Sequence, residues 1–355
     1  MTWRDGVHIT GTPIWCDARR RRDVCFLSSA DRVGRAGHGQ LIGTAITLAL
    51  LGARDQGHLA VPLRQRFTLG TVRLELIPSG RGFGAAALHA DITGKTVLYA
   101  GVMRTSAGGV GDPAELRTCD AVVVAAPFGE PHHRFPPLPT AIDQTLAWTR
   151  AQLAAGKRPV LFVDAPLDGL EVASRLAADG FAIAGSRPIR EAAQRIAELV
   201  PPAQLVNGAV TIGGSISARG SLPAPVRLAN GTQTLPAVAA DSGIPVIAAP
   251  GREPRAVVWL DADRAGLLRS LGDRPFATAV VSARAFAGPI DSDAGFAWAA
   301  AADRAQLLGW IEATGARDIF VTGACAESIV AALGARARII GPPHQMPLFP
   351  REALS

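Results

Sequence analysis

The chain has 355 residues, 48% of them apolar, with a formal charge of +6 and a pI near 9.9. That length and apolar content mark a globular chain with a sizeable core, one large α/β domain or two interleaved ones, and exclude a disordered polar chain. The basic balance favours an anionic partner, yet only Lys95 and Lys157 are lysines, and an Arg-, Ala- and Gly-rich composition carries positive charge without any partner.

In chain order, the first third is rich in short strands. Residues 23–28, 71–77, 85–92, 96–100 and 120–125 are apolar or alternating runs broken by Gly, Pro or Thr-Gly turns. From Pro139 the pattern becomes alternating helix and strand: a helix through Trp148 ending near Gly156, a buried strand over 159–163, and a helix from an Asp168 cap to Gly180. A further helix from Ser186 sets Ile189, Ala193, Ile196 and Val200 on one face. Residues 201–243, rich in Gly, Ala, Pro and Ser with turn pairs Asn207-Gly208 and Asn230-Gly231, read as short strands or a long connection. Strands follow at 245–249, 256–260 and 277–281, with a helix near 263–271 between the last two. The tail predicts a helix over 302–314, a strand over 318–322, a helix through Ile329 and a strand over 337–340.

Cys16, Cys25, Cys119 and Cys325 are scattered without a C-x-x-C pair, which fits reduced thiols and argues against a disulfide framework or a zinc ribbon. The apolar runs at 41–51 and 121–128 are too short to cross a bilayer, and no charged-apolar-small leader opens the chain. The expected setting is cytoplasmic and off the membrane.

Several segments, in order, carry a likeness to a known family. They are Trp3-Arg4-Asp5-Gly6, Cys16-Asp17-Ala18, the strand ending Phe26-Leu27-Ser28, the loop Leu27 to Gly34, and the turn Pro78-Ser79-Gly80-Arg81-Gly82-Phe83-Gly84. Later come Tyr99-Ala100-Gly101-Val102, Ala125-Ala126-Pro127-Phe128-Gly129, Ala300-Ala301-Ala302-Asp303 and Val321-Thr322-Gly323-Ala324. Together they resemble the β-CASP branch of the metallo-β-lactamase superfamily, most closely ligase-associated DNA damage response exonucleases and RNA 3′-end processing nucleases. The resemblance implies an α/β fold: a metallo-β-lactamase-like αββα sandwich from residues 1–138 and 285–355, with a β-CASP-like cap over 139–284 and a cleft between them.

Enzymes of that kind hold two zinc ions by histidine nitrogens and carboxylate oxygens, and the bound water becomes the nucleophile. Here the matching positions are Ser29, Asp31, Val33 and Gly34 in the first loop, Arg81 in the turn, Val102 for the bridging aspartate, Ala125 for the fourth acidic group, and Ala301 and Gly323 for the last histidines. Gly, Val and Ala offer no side-chain lone pair, and Arg81 carries a permanent positive charge that repels a metal. The expectation is a pseudoenzyme with no catalytic residues, no metal and no cofactor. Asp17 and Asp303 remain acidic at family positions; a turn cap or an Arg partner explains each.

Other chemistry is weighed beside this. Ser28 and Ser29 lie near Asp31 and His38, but no G-x-S-x-G elbow frames either serine. His132-His133 sits in a Pro-rich stretch without a third ligand, and the glycine-rich Gly80 to Gly84 and Gly213-Gly214-Ser215 form neither a phosphate loop nor a dinucleotide fingerprint. The run Arg19-Arg20-Arg21-Arg22 is basic, and Arg32, Arg35, Arg81 and Arg104 fall where the resembled cleft would be, a candidate phosphate-binding set; a solvated turn and internal Arg–Asp pairing, with Arg81 meeting Asp17 or Asp31, are the alternatives.

The leading expectation is therefore a catalytically inactive, nuclease-like accessory or scaffold protein in DNA repair or RNA processing. Its partners would be DNA or RNA, an active nuclease paralogue, a DNA ligase or a helicase. Two alternatives stand beside it: an active exonuclease or metallo-hydrolase with a relocated site, and a purely structural interaction protein.

Overall fold

A computed structural model describes residues 1–31, 37–53, 57–199, 244–251, 255–272, 274–287 and 290–342. Residues 201–243, singled out above as a long connection, lie outside it. The described residues are mixed α/β and build three sheets.

The first sheet has the spatial order β1 (Thr2–Trp3), β2 (Val7–His8), β3 (Ile14–Cys16), β4 (Val24–Phe26), β5 (Gln40–Gly43) and β6 (Leu59–Ala60), followed along one side by helix α1 (Ala45–Leu50). β1 to β3 pair antiparallel, and β3 to β6 pair parallel. β1 and β2 are two residues long, too short for an alternating pattern to mark them in the sequence.

The second sheet contains β7 (Arg66–Leu69), β8 (Val72–Pro78), β9 (Ala86–Ile92), β10 (Lys95–Gly101) and β11 (Ala121–Ala125). It is completed by two strands from the far end of the chain, β18 (Asp318–Thr322) and β19 (Ala337–Ile339). β18 lies parallel to β11 with Val122 opposite Ile319 and Val124 opposite Val321. Val72, Leu74 and Leu76 point from β8 into a core shared with Val7, Ile14, Phe26 and Ile42 of the first sheet, the alternation a half-buried strand requires. The other face, through Leu98, Val122, Val124 and Ile319, is covered by α7 (Arg304–Ala313) and α8 (Ala326–Leu333).

Between β11 and β18 the chain forms the third sheet, entirely parallel, in the order β14 (Ile247–Ala248), β13 (Ile183–Gly185), β15 (Ala256–Leu260), β12 (Arg158–Val163), β16 (Phe276–Val281), β17 (Ala294–Phe296). Around it pack α2 (Leu138–Ala154), α3 (Pro166–Ala178), α4 (Arg187–Ala197), α5 (Arg264–Leu271) and the short α6 (Arg284–Ala287). β12 is buried at every position, as a parallel strand covered on both faces must be.

Two boundaries differ from expectation. α3 begins at Pro166 rather than from a cap at Asp168, because proline suits the first helical position where no N–H is needed; Asp168 falls in the first turn. β17 pairs with β16 in the third sheet, so that sheet continues past residue 284, where the inserted segment was expected to end.

Candidate functional site

Several loops and helix α3 meet where the second and third sheets approach each other. The first loop follows β4. Ser28 donates through its N–H (2.8 Å) and Oγ (2.5 Å) to the Asp17 carboxylate, which also accepts from the Tyr99 hydroxyl at 2.9 Å. Ser29 Oγ donates to Asp31. Val33, Gly34, Arg32 and Arg35 lie outside the described residues.

The second loop is the turn after β8. Gly80 has φ +72°, and a Cβ there would lie 2.0 Å from the Arg104 carbonyl oxygen, so the turn admits only glycine. This carries Arg81 inward, where its guanidinium bridges two carboxylates: Nη2 reaches Asp31 Oδ2 at 2.5 Å, and Nη1 reaches Asp168 Oδ1 at 2.6 Å. The Arg81 side chain is only 10% exposed. Burial works against its charge, but Asp168 and Asp31 overcompensate and hold its pKa above the ordinary arginine value. Burial pushes the Asp168 carboxyl up, Arg81 opposes that rise, and Asp31 and Glu171 add to it.

Beside this bridge, Val102, Ala125 and Ala301 form a small apolar cluster against Phe128. A cavity of about 200 Å³ opens there, walled by Asp31, Arg81, Val102, Phe128, Asp168, Trp298 and Ala301. Gly323, at φ +104°, abuts the backbone of Ala126, and an added Cβ would come within 2.8 Å of that carbonyl. The positions Asp31, Arg81, Val102, Ala125 and Ala301 are thus brought together, with Ser29 attached through Asp31. Their chemistry does not fit a dinuclear metal centre. Val102, Ala125 and Ala301 offer no donor, and the Arg81 guanidinium occupies the space between the Asp31 and Asp168 carboxylates. Among the described residues no three His, Cys, Asp or Glu side chains group as a metal set.

Arg104 was expected to face a phosphate. Instead it is 1% exposed, with Nη1 on Glu171 Oε1 at 2.8 Å, while Trp298 Nε1 donates to the same oxygen at 3.4 Å. Arg81 is likewise occupied, by Asp31 as one of the alternatives foresaw but also by Asp168 and not by Asp17. The physical reason is common to both arginines: each lies against α3, whose Asp168 and Glu171 stand three residues apart on one helical face. Sequence reading assigned Asp168 to a cap and passed over Glu171. The Asp168-x-x-Glu171 spacing behind a buried strand was the available signal. At the carboxyl end of β12, Asp164 accepts from Ser282 and Arg284 and lines the same cavity.

The remaining candidates have structural partners. His38 is buried, its Nδ1 accepting from the Arg22 N–H at 3.2 Å, and neither Ser28 nor Ser29 is hydrogen-bonded to it, so the serine–histidine arrangement is not formed. His133 Nδ1 accepts from the N–H groups of Gly129 and Glu130, both at 3.1 Å. Asp303 caps α7 in a reciprocal capping box with Gln306 and accepts from the Phe135 N–H at 3.2 Å. The Cys16 and Cys25 thiols are buried, and burial pushes Cys25 up to about 12. Among the described residues no helix is long and apolar enough to cross a membrane.

No protein-family model matches the chain. A comparison with curated proteins finds a probable DNA ligase of Opitutus terrae, 27% identical over 162 residues. The match covers 44% of this chain but 16% of the ligase, so the chain spans about one sixth of the length of the relative it resembles.

Proposed function

We propose that this chain is a non-catalytic relative of the β-CASP metallo-β-lactamase-fold nucleases, acting as an accessory or scaffold protein in nucleic-acid metabolism. The single observation that carries the reading is the internal bridge Asp31–Arg81–Asp168 beside the Val102, Ala125 and Ala301 cluster. A cleft built this way has a fixed organic cation and alkyl groups where hydrolysis needs metal-activated water. The architecture is compatible with the proposal: two sheets share a core, helices cover the outer face of one, and a parallel sheet is inserted between β11 and β18. The likeness to part of a probable DNA ligase favours DNA over RNA as the setting. Candidate partners are DNA itself, an active nuclease, a ligase or a helicase.

The test is to load the purified chain with Zn²⁺ or Mn²⁺, desalt it, measure retained metal, and assay it on single- and double-stranded DNA and RNA. Expected are no stoichiometric metal and no cleavage. Two retained ions per chain together with metal-dependent cleavage would overturn the reading.

A further inference from the structure

Among the described residues, the arginines lining the cleft are paired with carboxylates inside the protein, and a phosphodiester entering there would meet Asp31, Asp164 and Asp168. Cations without acidic partners lie elsewhere. The turn between β1 and β2 and the run between β3 and β4 are fastened side by side: Arg19 N–H donates to the Asp5 carbonyl at 2.6 Å, Arg22 donates to the Arg4 carbonyl, and Arg20 pairs with Asp5 at 2.9 Å. This sets Arg4, Arg19, Arg20, Arg21 and Arg22 at one margin of the first sheet, with Asp5 and Asp23 as the adjacent carboxylates on the same turns. Arg4, Arg19, Arg20 and Arg21 are exposed, and among the described residues Arg4, Arg19 and Arg21 have no acidic partner.

Arg22 behaves differently. Its guanidinium lies 3.7 Å from the centroid of Trp15, which in turn stacks on His8 at 4.6 Å with an interplanar angle of 23°. The stack anchors the run to the sheet. It also covers the Trp15 indole, so the run presents guanidiniums suited to phosphate rather than an open Trp15 face for a base.

We infer that the Arg4 and Arg19–Arg22 platform is the nucleic-acid interface of this chain, binding a phosphodiester backbone without sequence preference and outside the cleft. The inference deepens the function proposed above and rests on its nucleic-acid setting. Charge complementarity selects the occupant: adjacent guanidiniums match successive backbone phosphates and release their counterions.

The experiment uses the full chain and fluorescence anisotropy with labelled single-stranded and duplex DNA of mixed sequence, between about 50 and about 200 mM salt. Each lost phosphate contact lowers the log–log salt slope by about 0.7 for a single strand or about 0.9 for a duplex. The triple variant Arg19→Ala/Arg20→Ala/Arg21→Ala is thus expected to reduce the slope by about 2 to 3 and affinity at the lowest salt by about tenfold or more. All three side chains are exposed, so the fold is retained. A control with the same charge loss on exposed sites of the third-sheet region, Arg187→Ala/Arg269→Ala/Arg274→Ala, should bind like wild type.

Equal slopes for wild type and triple variant, or an equal loss in the control, overturn the platform while leaving the functional reading intact. Direct binding of a labelled acidic peptide without any binding of DNA also overturns it, in favour of a protein partner. Absence of all wild-type binding to nucleic acid removes both this inference and the nucleic-acid arm of the proposed function. Metal-dependent cleavage, by contrast, sinks only the non-catalytic reading.

Discussion

Glu171→Gln isolates the buried ion pair that joins α3 to the segment after β10. At the Nη1–Oε1 separation of 2.8 Å and an effective dielectric of about 20, the Coulomb attraction is about 6 kcal/mol. Desolvation costs several kcal/mol per ion, so the intact pair contributes little net stability relative to an apolar isostere. Breaking it is another matter. The two side chains are 1% and 2% exposed, and the glutamine leaves Arg104 charged, dry and without its counterion, while Arg104 Nε already has no acceptor among the described residues. The expected loss is about 3–5 kcal/mol of unfolding free energy. Arg104→Met/Glu171→Leu, which removes both charges at similar volume, should restore stability to within about 1 kcal/mol of wild type. The assay is urea denaturation followed by tryptophan fluorescence, with Trp298 reporting directly because its indole N–H touches Glu171. A Glu171→Gln midpoint equal to wild type, or a double variant whose loss is the sum of the single losses, refutes the claim that the pair is sealed from water.

Removing Arg81 has a pH signature. Arg81→Met deletes the cation that opposes the raised Asp168 pKa, so that pKa climbs further. A carboxyl raised in the folded state contributes stability that is full below its unfolded pKa, about 3.9, and is lost as pH rises through the folded value. The variant should therefore gain stability as pH falls from neutrality towards the unfolded carboxyl value of about 3.9, more steeply than wild type, and Asp168→Asn added to it should flatten the profile; unfolding curves collected across that range decide. The thiols should be inert: with Cys25 at about 12 and Cys119 at about 11, a chromogenic disulfide at mildly alkaline pH should label neither until denaturant is added, and rapid native labelling would contradict their burial. Asp303→Ala should cost about 1 kcal/mol by removing the α7 cap, read from the urea midpoint; an unchanged midpoint would mean that the capping box does not form.

The sequence revealed most of the strands whose formation is local. The run at 318–322 coincides with β18, and the runs at 159–163 and 256–260 meet β12 and β15 to within a residue, because buried parallel strands are continuous β-branched or apolar stretches. Helix α4 was readable from Ile189, Ala193 and Ile196, all buried on one side. The candidate site was half readable. Arg81, Val102 and Ala301 were singled out through the family resemblance, as positions where its metal ligands would stand. Their partners did not: Asp168 lies 87 residues from Arg81, and Glu171 lies 67 from Arg104. Those contacts arise from packing α3 against the turn after β8 and the segment after β10, and no local pattern encodes the approach of elements so distant along the chain.

The guanidinium that spans Asp31 and Asp168 fastens the joint between two sheets with a covalent part of the polypeptide. A divalent ion in such a place would be occupied according to its free concentration, and a chelator would loosen whatever it fastened. An arginine side chain arrives with the polypeptide and cannot dissociate from it. Loop and helix are therefore tied by a group that belongs to the chain itself.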